Sequence, residues 1–472
     1  MSFQKSPLRL LIAVIAAASM AGCASFSQDG GFDAVRQSTS QRLGKDLSWV
    51  KSSADQDSVD KRVAELLSSP LTPDAAVQLA LLNNKGLQAS FAELGIGESD
   101  LVQAGRLPNP RFTMLRASHG DELTIDQSFT FNLFALLALP RASALEQRRF
   151  ERTQSSVSMD AFNLAARTRS AYFLALAADE TARYMQQVMR VAEAGAELAR
   201  RMAQAGNFNK LQQAREQGFY ADAALNLAKA AQAQTVARES LTRLLGLWGQ
   251  QLSFKLPERL PDLPKAPNDL PDVEQLAMRQ RVDVQAARID VQSTAQSLGL
   301  TKTTRFINAF EFGPARVLEG KAGDPYKYGY ELSFELPLFD WGTARVNKAE
   351  AIYMQAVNRA AETAINARSE VREAYSGYRS SYEIAHHYRD EIVPLRKRIS
   401  DENQLRYNGM LIGVFDLLAD ARSQIAAVNG AIEALRDFWI AQSDLDMALI
   451  GKPVLGATPG AMRTAGAEAG GH

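Results

Sequence analysis

The sequence predicts a mainly α-helical protein that also carries a few membrane-crossing β-strands, with this whole plan written twice along the chain. Three observations predict it. Across 123–133 the odd positions are Leu123, Ile125, Gln127, Phe129, Phe131 and Leu133, against the even Thr124, Asp126, Ser128, Thr130 and Asn132. Across 326–336 the even positions are Tyr326, Tyr328, Tyr330, Leu332, Phe334 and Leu336, against polar or small odd positions. Strict period-two alternation gives a strand one apolar and one polar face. Second, no proline lies between Arg141 and Pro257, and only Gly195 interrupts an alanine-rich pattern from Arg141 to Gly206. Third, blocks recur: Leu79-Ala80 and Leu87-Gln88-Ala89 as Leu276-Ala277 and Val284-Gln285-Ala286, then Arg169, Ala171, Tyr172 and Gly206 as Arg372, Ala374, Tyr375 and Gly409. Offsets that stay constant within each block mark an internal repeat.

The elements follow in order. Lys5 and Arg9 precede an apolar run from Leu10 to Ala18 that is too short to span a bilayer and has the form of a secretory signal, 1–22. It ends in Met20-Ala21-Gly22-Cys23, which resembles the bacterial lipobox; the resemblance implies that Cys23 is lipidated and, with Ala24 next to it, directed to the outer membrane. Residues 23–71 read as a lipidated tether. The first repeat occupies 72–251 and the second 272–451, separated by a linker at 252–271 that holds Pro257, Pro261, Pro264, Pro267 and Pro271. Residues 452–472, rich in Gly and Ala, read as a disordered tail.

Within each repeat a short helical stretch (74–104, 272–302) precedes two strands, a very long helix, a glycine turn and a shorter helix. The partner strands are placed at 111–117 and 305–312. An 11-residue strand matches the roughly 9–11 residues that a tilted strand needs to cross a bilayer, and the aromatic and charged faces suit a barrel wall with a wet interior. The long helices, about 141–206 and 342–409, far exceed the mean of about 11–12 residues and must pack along their length. Alanine in 221–231 permits that close approach.

Composition narrows the function. Lys+Arg and Asp+Glu both number 53, which argues against a nucleic-acid partner. One cysteine and 4 histidines exclude a disulfide framework and a cysteine-rich metal site, and no cofactor is expected. His386 and His387 are adjacent, so on a helix they point about 100° apart and read as a solvated face. Glu331 and Glu335 share a strand face and read as lumen lining. No catalytic constellation is present, and the protein is expected not to be an enzyme.

The layout of about 72–451 resembles the TolC family of outer-membrane efflux and secretion channels. Leu336-Pro337-Leu338-Phe339-Asp340-Trp341-Gly342 is similar to the family's strand-to-helix signature, carried by Pro337, Phe339, Asp340 and Gly342; Ala138-Leu139-Pro140-Arg141 is its weaker counterpart. Tyr407-Asn408-Gly409 with Val414-Phe415-Asp416-Leu417-Leu418 is similar to the family's second turn. The resemblance implies a homotrimer whose strands close one 12-stranded barrel continued by a helical periplasmic tunnel. It also implies a periplasmic adaptor and an inner-membrane pump as partners, with outer-membrane lipid around the barrel. Asp416 and, one residue out of register, Asp420 take the place of the acidic ring that narrows the tunnel. Gly206, Gly409 and Gly413 mark the adaptor-contacting turns, and Pro394 a hinge in the second long helix. Efflux of heavy-metal ions or drugs is the leading function; a type I protein-secretion channel and a structural coiled-coil or adaptor lipoprotein are the alternatives.

Overall fold

The structure is a computed structural model that describes residues 25–304, 310–321, 323–336 and 338–453. The signal segment with Cys23, the end of the tail beyond Pro453, and Pro337 lie outside the described residues. The chain divides into two compact units, one of Phe91–Val157 and Asp283–Thr363 with the segment before Arg36, the other of Arg36–Ser90, Ser158–Val282 and the segment from Ala364.

The segment expected to be a tether is folded. It holds helix α1 (Phe32–Leu43) and helix α2 (Ser53–Leu67). Ser52 caps α2 by accepting from the Asp55 amide at 3.2 Å, and the Asp55 carboxylate accepts from the Ser52 amide at 2.9 Å, which satisfies two orphan donors. Val35, Val59 and Val63 are buried. The polar composition hides one apolar side chain per turn, and that is enough to seat a helix.

Each helical stretch that opens a repeat is two helices, α3 (Pro73–Asn83) and α4 (Lys85–Ala104), then α7 (Val273–Gln280) and α8 (Val282–Thr304). Both breaks are single extended residues, Asn84 at ψ 118° and Arg281 at ψ 125°. Between them runs helix α6 (Lys210–Leu245), and its terminal carbonyls need donors. Asn84 Nδ2 donates to the Leu244 carbonyl at 2.9 Å and Asn83 Nδ2 to the Gly246 carbonyl at 2.8 Å. Arg281 Nη1 serves the last helix, α11 (Val414–Ile450), in the same way, donating to the Ala448 carbonyl at 3.3 Å.

The strands form one antiparallel sheet in the order β1 (Arg111–His119), β2 (Glu122–Asn132), β3 (Phe310–Gly320), β4 (Lys327–Phe334). β3 runs on to Gly320, past the expected end at 312, and Gly313-Pro314 lies inside it; the first part of the expected span, 305–309, lies outside the described residues. A Cβ at Gly313 would collide with the Phe129 carbonyl, so the close approach of β2 requires glycine there.

β2 passes directly into helix α5 (Leu133–Gln204), with the Asn132 carboxamide oxygen accepting from the Ala135 amide at 2.8 Å as a cap. The helix therefore starts before Ala138-Leu139-Pro140-Arg141, and Pro140 lies within it. The second repeat keeps a true connector. There Asp340 Oδ1 accepts from the Gly342 amide at 2.8 Å, and Gly342 has φ +73°, a conformation suited to glycine. Helix α9 (Thr343–His387) follows, then a π turn (Tyr388–Ile392) and helix α10 (Val393–Asn408), so the second long helix is interrupted where one element was expected. Pro394, in the first turn of α10, has no N–H to donate to the preceding turn, and the wider π turn lies just ahead of it.

In the second unit Val371, Tyr378, Tyr382 and Ala385 of α9 pack with Phe438, Leu445 and Ala448 of α11 and Val273 and Ala277 of α7. The same tyrosines fasten the proline-rich linker: Tyr378 Oη accepts from the Asn268 amide at 2.9 Å, and Tyr382 Oη donates to the Lys265 carbonyl at 2.9 Å. Ala182 and Ala192 of α5 meet Ala223 and Ala230 of α6, where small side chains bring the helices together. Among the described residues no helix is long and apolar enough to cross a membrane.

Candidate functional site

Two places carry the residues singled out by sequence: the sheet and the two interhelical turns.

Alternation and register sort the sheet into two faces. One face aligns Phe112 with Phe129, Phe131 with Phe312, and Phe312 with Leu332. Phe129 and Phe131 meet edge to face at 5.6 Å, and Phe312 and Tyr330 lie 5.9 Å apart. These rings are exposed, Tyr328 to 81% and Tyr330 to 73%, and Phe339 beyond β4 to 99%. The other face is polar: Glu311 meets Arg111 Nη1 at 3.4 Å and Thr130 Oγ1 at 3.5 Å, and Glu319 meets Lys327 Nζ at 3.0 Å. β1 and β4 each have a single neighbour, leaving two open edges. A sheet that exposes aromatic rings and hides Ser128 and Thr130 inverts the usual soluble arrangement.

The turns share one hydrogen-bond pattern. After α5 the Gly206 amide donates to the Ala203 carbonyl at 3.1 Å and the Asn207 amide to Met202 at 2.9 Å. After α10 the Met410 amide donates to Tyr407 at 2.9 Å and the Leu411 amide to Arg406 at 2.9 Å. Both are the paired closure of a Schellman cap, whose left-handed residue is normally glycine. Gly206 fills that position at φ +78°, but in the second turn it falls to Met410 at φ +59°. Gly409, expected to match Gly206, has φ −80°, and Gly413 caps the next helix at φ −82°.

Asp416 is exposed, and its Oδ2 accepts from the Gly413 amide at 3.2 Å. Asp420 is instead 8% exposed, with Oδ2 buried and without a hydrogen-bond partner among the described residues. Sequence reading missed the pair beside it: Glu216 of α6, 2% exposed, meets Arg422 of α11 at 3.4 Å, and the Arg422 guanidinium lies 4.5 Å from the Phe219 ring centre. Neither residue stands in a motif, so no local signal marks them. His386 and His387 pair with Asp390 at 2.9 Å and Glu391 at 3.0 Å across the π turn. Among the described residues no group of three or more His, Cys, Asp or Glu side chains is placed to hold a metal ion.

No family model matches the sequence. Solved structures do. The CmeC outer membrane channel of Campylobacter jejuni superposes with a TM-score of 0.70 at 16% identity, covering 85% of this chain and 90% of that one. CusC gives 0.67 at 17% identity over 83% and 92%. The open state of the MtrE outer membrane channel of Neisseria gonorrhoeae gives 0.67 at 18% over 83% and 89%. This chain has the fold of the TolC-family channels. In sequence, the cobalt-zinc-cadmium resistance protein CzcC of Cupriavidus metallidurans is 25% identical over 241 residues, 51% of this chain. The match spans 57% of the length of that relative.

Proposed function

We propose that the protein is the outer-membrane channel of a tripartite efflux system, three copies closing a 12-stranded barrel that continues as a helical tunnel. The observation that carries this reading is the four-stranded sheet with an aromatic exterior and two open edges. Unpaired backbone groups are forbidden in lipid, so such a sheet has to close with further strands, and identical copies supply them. The chain is a duct rather than an enzyme: substrate arrives from an inner-membrane pump through a periplasmic adaptor that meets the turns at Gly206 and at Gly409–Gly413. Cys23 carries the lipid anchor. The match to CzcC favours divalent metal cations as cargo over drugs or proteins. Asp416 narrows the tunnel, because its carboxylate is exposed beside the turn, whereas the burial of Asp420 removes it from the water-filled path. Pro394, with the π turn before it, is the hinge of the second hairpin.

Electron microscopy and planar-bilayer recording of detergent-extracted protein test the proposal. A trimer with a through-channel and stable conductance is expected. A monodisperse monomer, or particles without a lumen, would refute it.

A further inference from the structure

The aromatic face of the sheet carries two charges, both positive. Arg116 of β1 stands opposite Ile125, and Arg316 of β3 opposite Gln127, on a face whose other residues are uncharged: Phe, Tyr, Leu, Ile and Met together with Ser118, Gln127, Pro314 and Gly320. The acids of the strands, among them Asp126, Glu311, Glu319 and Glu331, fall on the other face. Arg116 and Arg316 are both exposed.

Their level on the sheet is specific. From Phe334 to Tyr328, opposite Arg316, is about 20 Å along the strand, which a tilt of about 35–45° reduces to about 15 Å of barrel height, and Arg116 lies one row further. An apolar barrel band is about 25 Å tall, and an arginine is tolerated better toward its edge than at its middle. Both arginines therefore stand on the hairpin-turn side of the band, Arg116 nearer its edge, away from the end where β2 enters α5.

Arg316 is also prepared for a ligand. Its Nε donates to Gln127 Oε1 at 2.7 Å, and its guanidinium lies 4.7 Å from the Tyr326 ring centre. This explains Gln127, the one polar residue among Leu123, Ile125, Phe129 and Phe131. With Nε occupied and the plane stacked, the two terminal nitrogens are presented outward as a fork, the geometry that binds phosphate oxygens in pairs. Two strand spacings and one row separate the two arginine backbones by about 12 Å, so their heads can grip two phosphates of one headgroup.

We propose that Arg116 and Arg316 form a binding site for a lipid of the outer leaflet whose headgroup bears two phosphates. The site rests on the channel reading, since it needs the aromatic face to be in lipid.

The test is native mass spectrometry of detergent-extracted full-length protein with diphosphoryl lipid A, monophosphoryl lipid A, phosphatidylethanolamine or inorganic phosphate. Diphosphoryl lipid A is expected to bind best and inorganic phosphate not at all, with retention falling at least fivefold in Arg116→Gln/Arg316→Gln. The Lys/Lys variant, which keeps charge but loses the fork, should fall between, and it carries the comparison if the Gln/Gln variant does not assemble. Equal retention by wild type and variants, or equal binding of inorganic phosphate, overturns the site. Both outcomes leave the channel reading intact if wild type conducts in bilayers. Wild type that neither inserts nor conducts overturns the channel reading and the lipid site with it.

Discussion

The Arg281 guanidinium, 1% exposed, binds the Glu370 carboxylate at 2.7 Å. The same side chain reaches the Ala448 carbonyl at the end of α11, so one residue breaks α7 from α8, neutralises a largely buried acid on α9 and caps a helix. Arg281→Ala strands the Glu370 charge, and removing one partner of a buried pair costs about 3–5 kcal/mol. Glu370→Gln keeps an acceptor but leaves the more deeply buried guanidinium without its counter-ion, so it should also cost about 3 kcal/mol. Thermal unfolding of the two variants beside wild type measures the losses, and a near-neutral Glu370→Gln would show that the charge pairing is not the source.

Met410 occupies the left-handed position that glycine takes at 206. A side chain there costs about 1 kcal/mol, and because Met410 is 93% exposed no packing offsets it. Met410→Gly should therefore stabilise the second turn by about 1 kcal/mol, whereas Gly206→Ala should destabilise the first by about as much. Hydrogen exchange of the Met410 and Leu411 amides would register the first change as slower opening.

These turns also show what the sequence could and could not reveal. Alternation in 123–133 and proline-free alanine-rich runs report directly on strand and helix, because each depends on neighbours along the chain. The run of β3 on to Gly320 does not, since the place of Gly313 within it is set by its approach to Phe129 on another strand. The helical start of α5 through Pro140 was masked by a residue that usually ends helices. The 203-residue offset sets Gly206 against Gly409, but in the folded turns the position equivalent to Gly206 is Met410, one residue further on, and only backbone angles and hydrogen bonds reveal that. Motifs likewise drew attention to Asp416 and Asp420 but were silent about Glu216 and Arg422, whose meeting depends on how α6 packs with α11.

Burial raises the Asp444 carboxyl from 3.8 to about 6. The folded chain then holds a proton that the unfolded chain has released, so stability should rise as pH falls from about 6 toward 4, by about 2 kcal/mol in total. Asp444→Asn removes the titration. It should stabilise the protein above pH 6 and flatten this part of the profile, which melting temperatures between pH 4 and pH 8 would record. A variant whose profile parallels wild type would locate the dependence elsewhere.

Asp416 serves two roles that can be separated. Its carboxylate accepts from the Gly413 amide and so caps α11, and under the channel reading three copies face one another across the tunnel. Asn retains an acceptor for the Gly413 amide, whereas Ala loses that hydrogen bond at a cost of about 1 kcal/mol. Only the negative charge attracts cations, and both substitutions remove it. In planar bilayers Asp416→Asn should therefore relieve block by multivalent cations while leaving pore size nearly unchanged. Asp416→Ala should relieve the block and also raise single-channel conductance, because the side chain is shorter and the turn is less firmly held. Asp420→Asn, at a buried position, should leave cation block as in wild type. Undiminished block in both Asp416 variants would exclude that residue from the constriction, and relief in the Asp420 variant alone would move the gate one turn along α11.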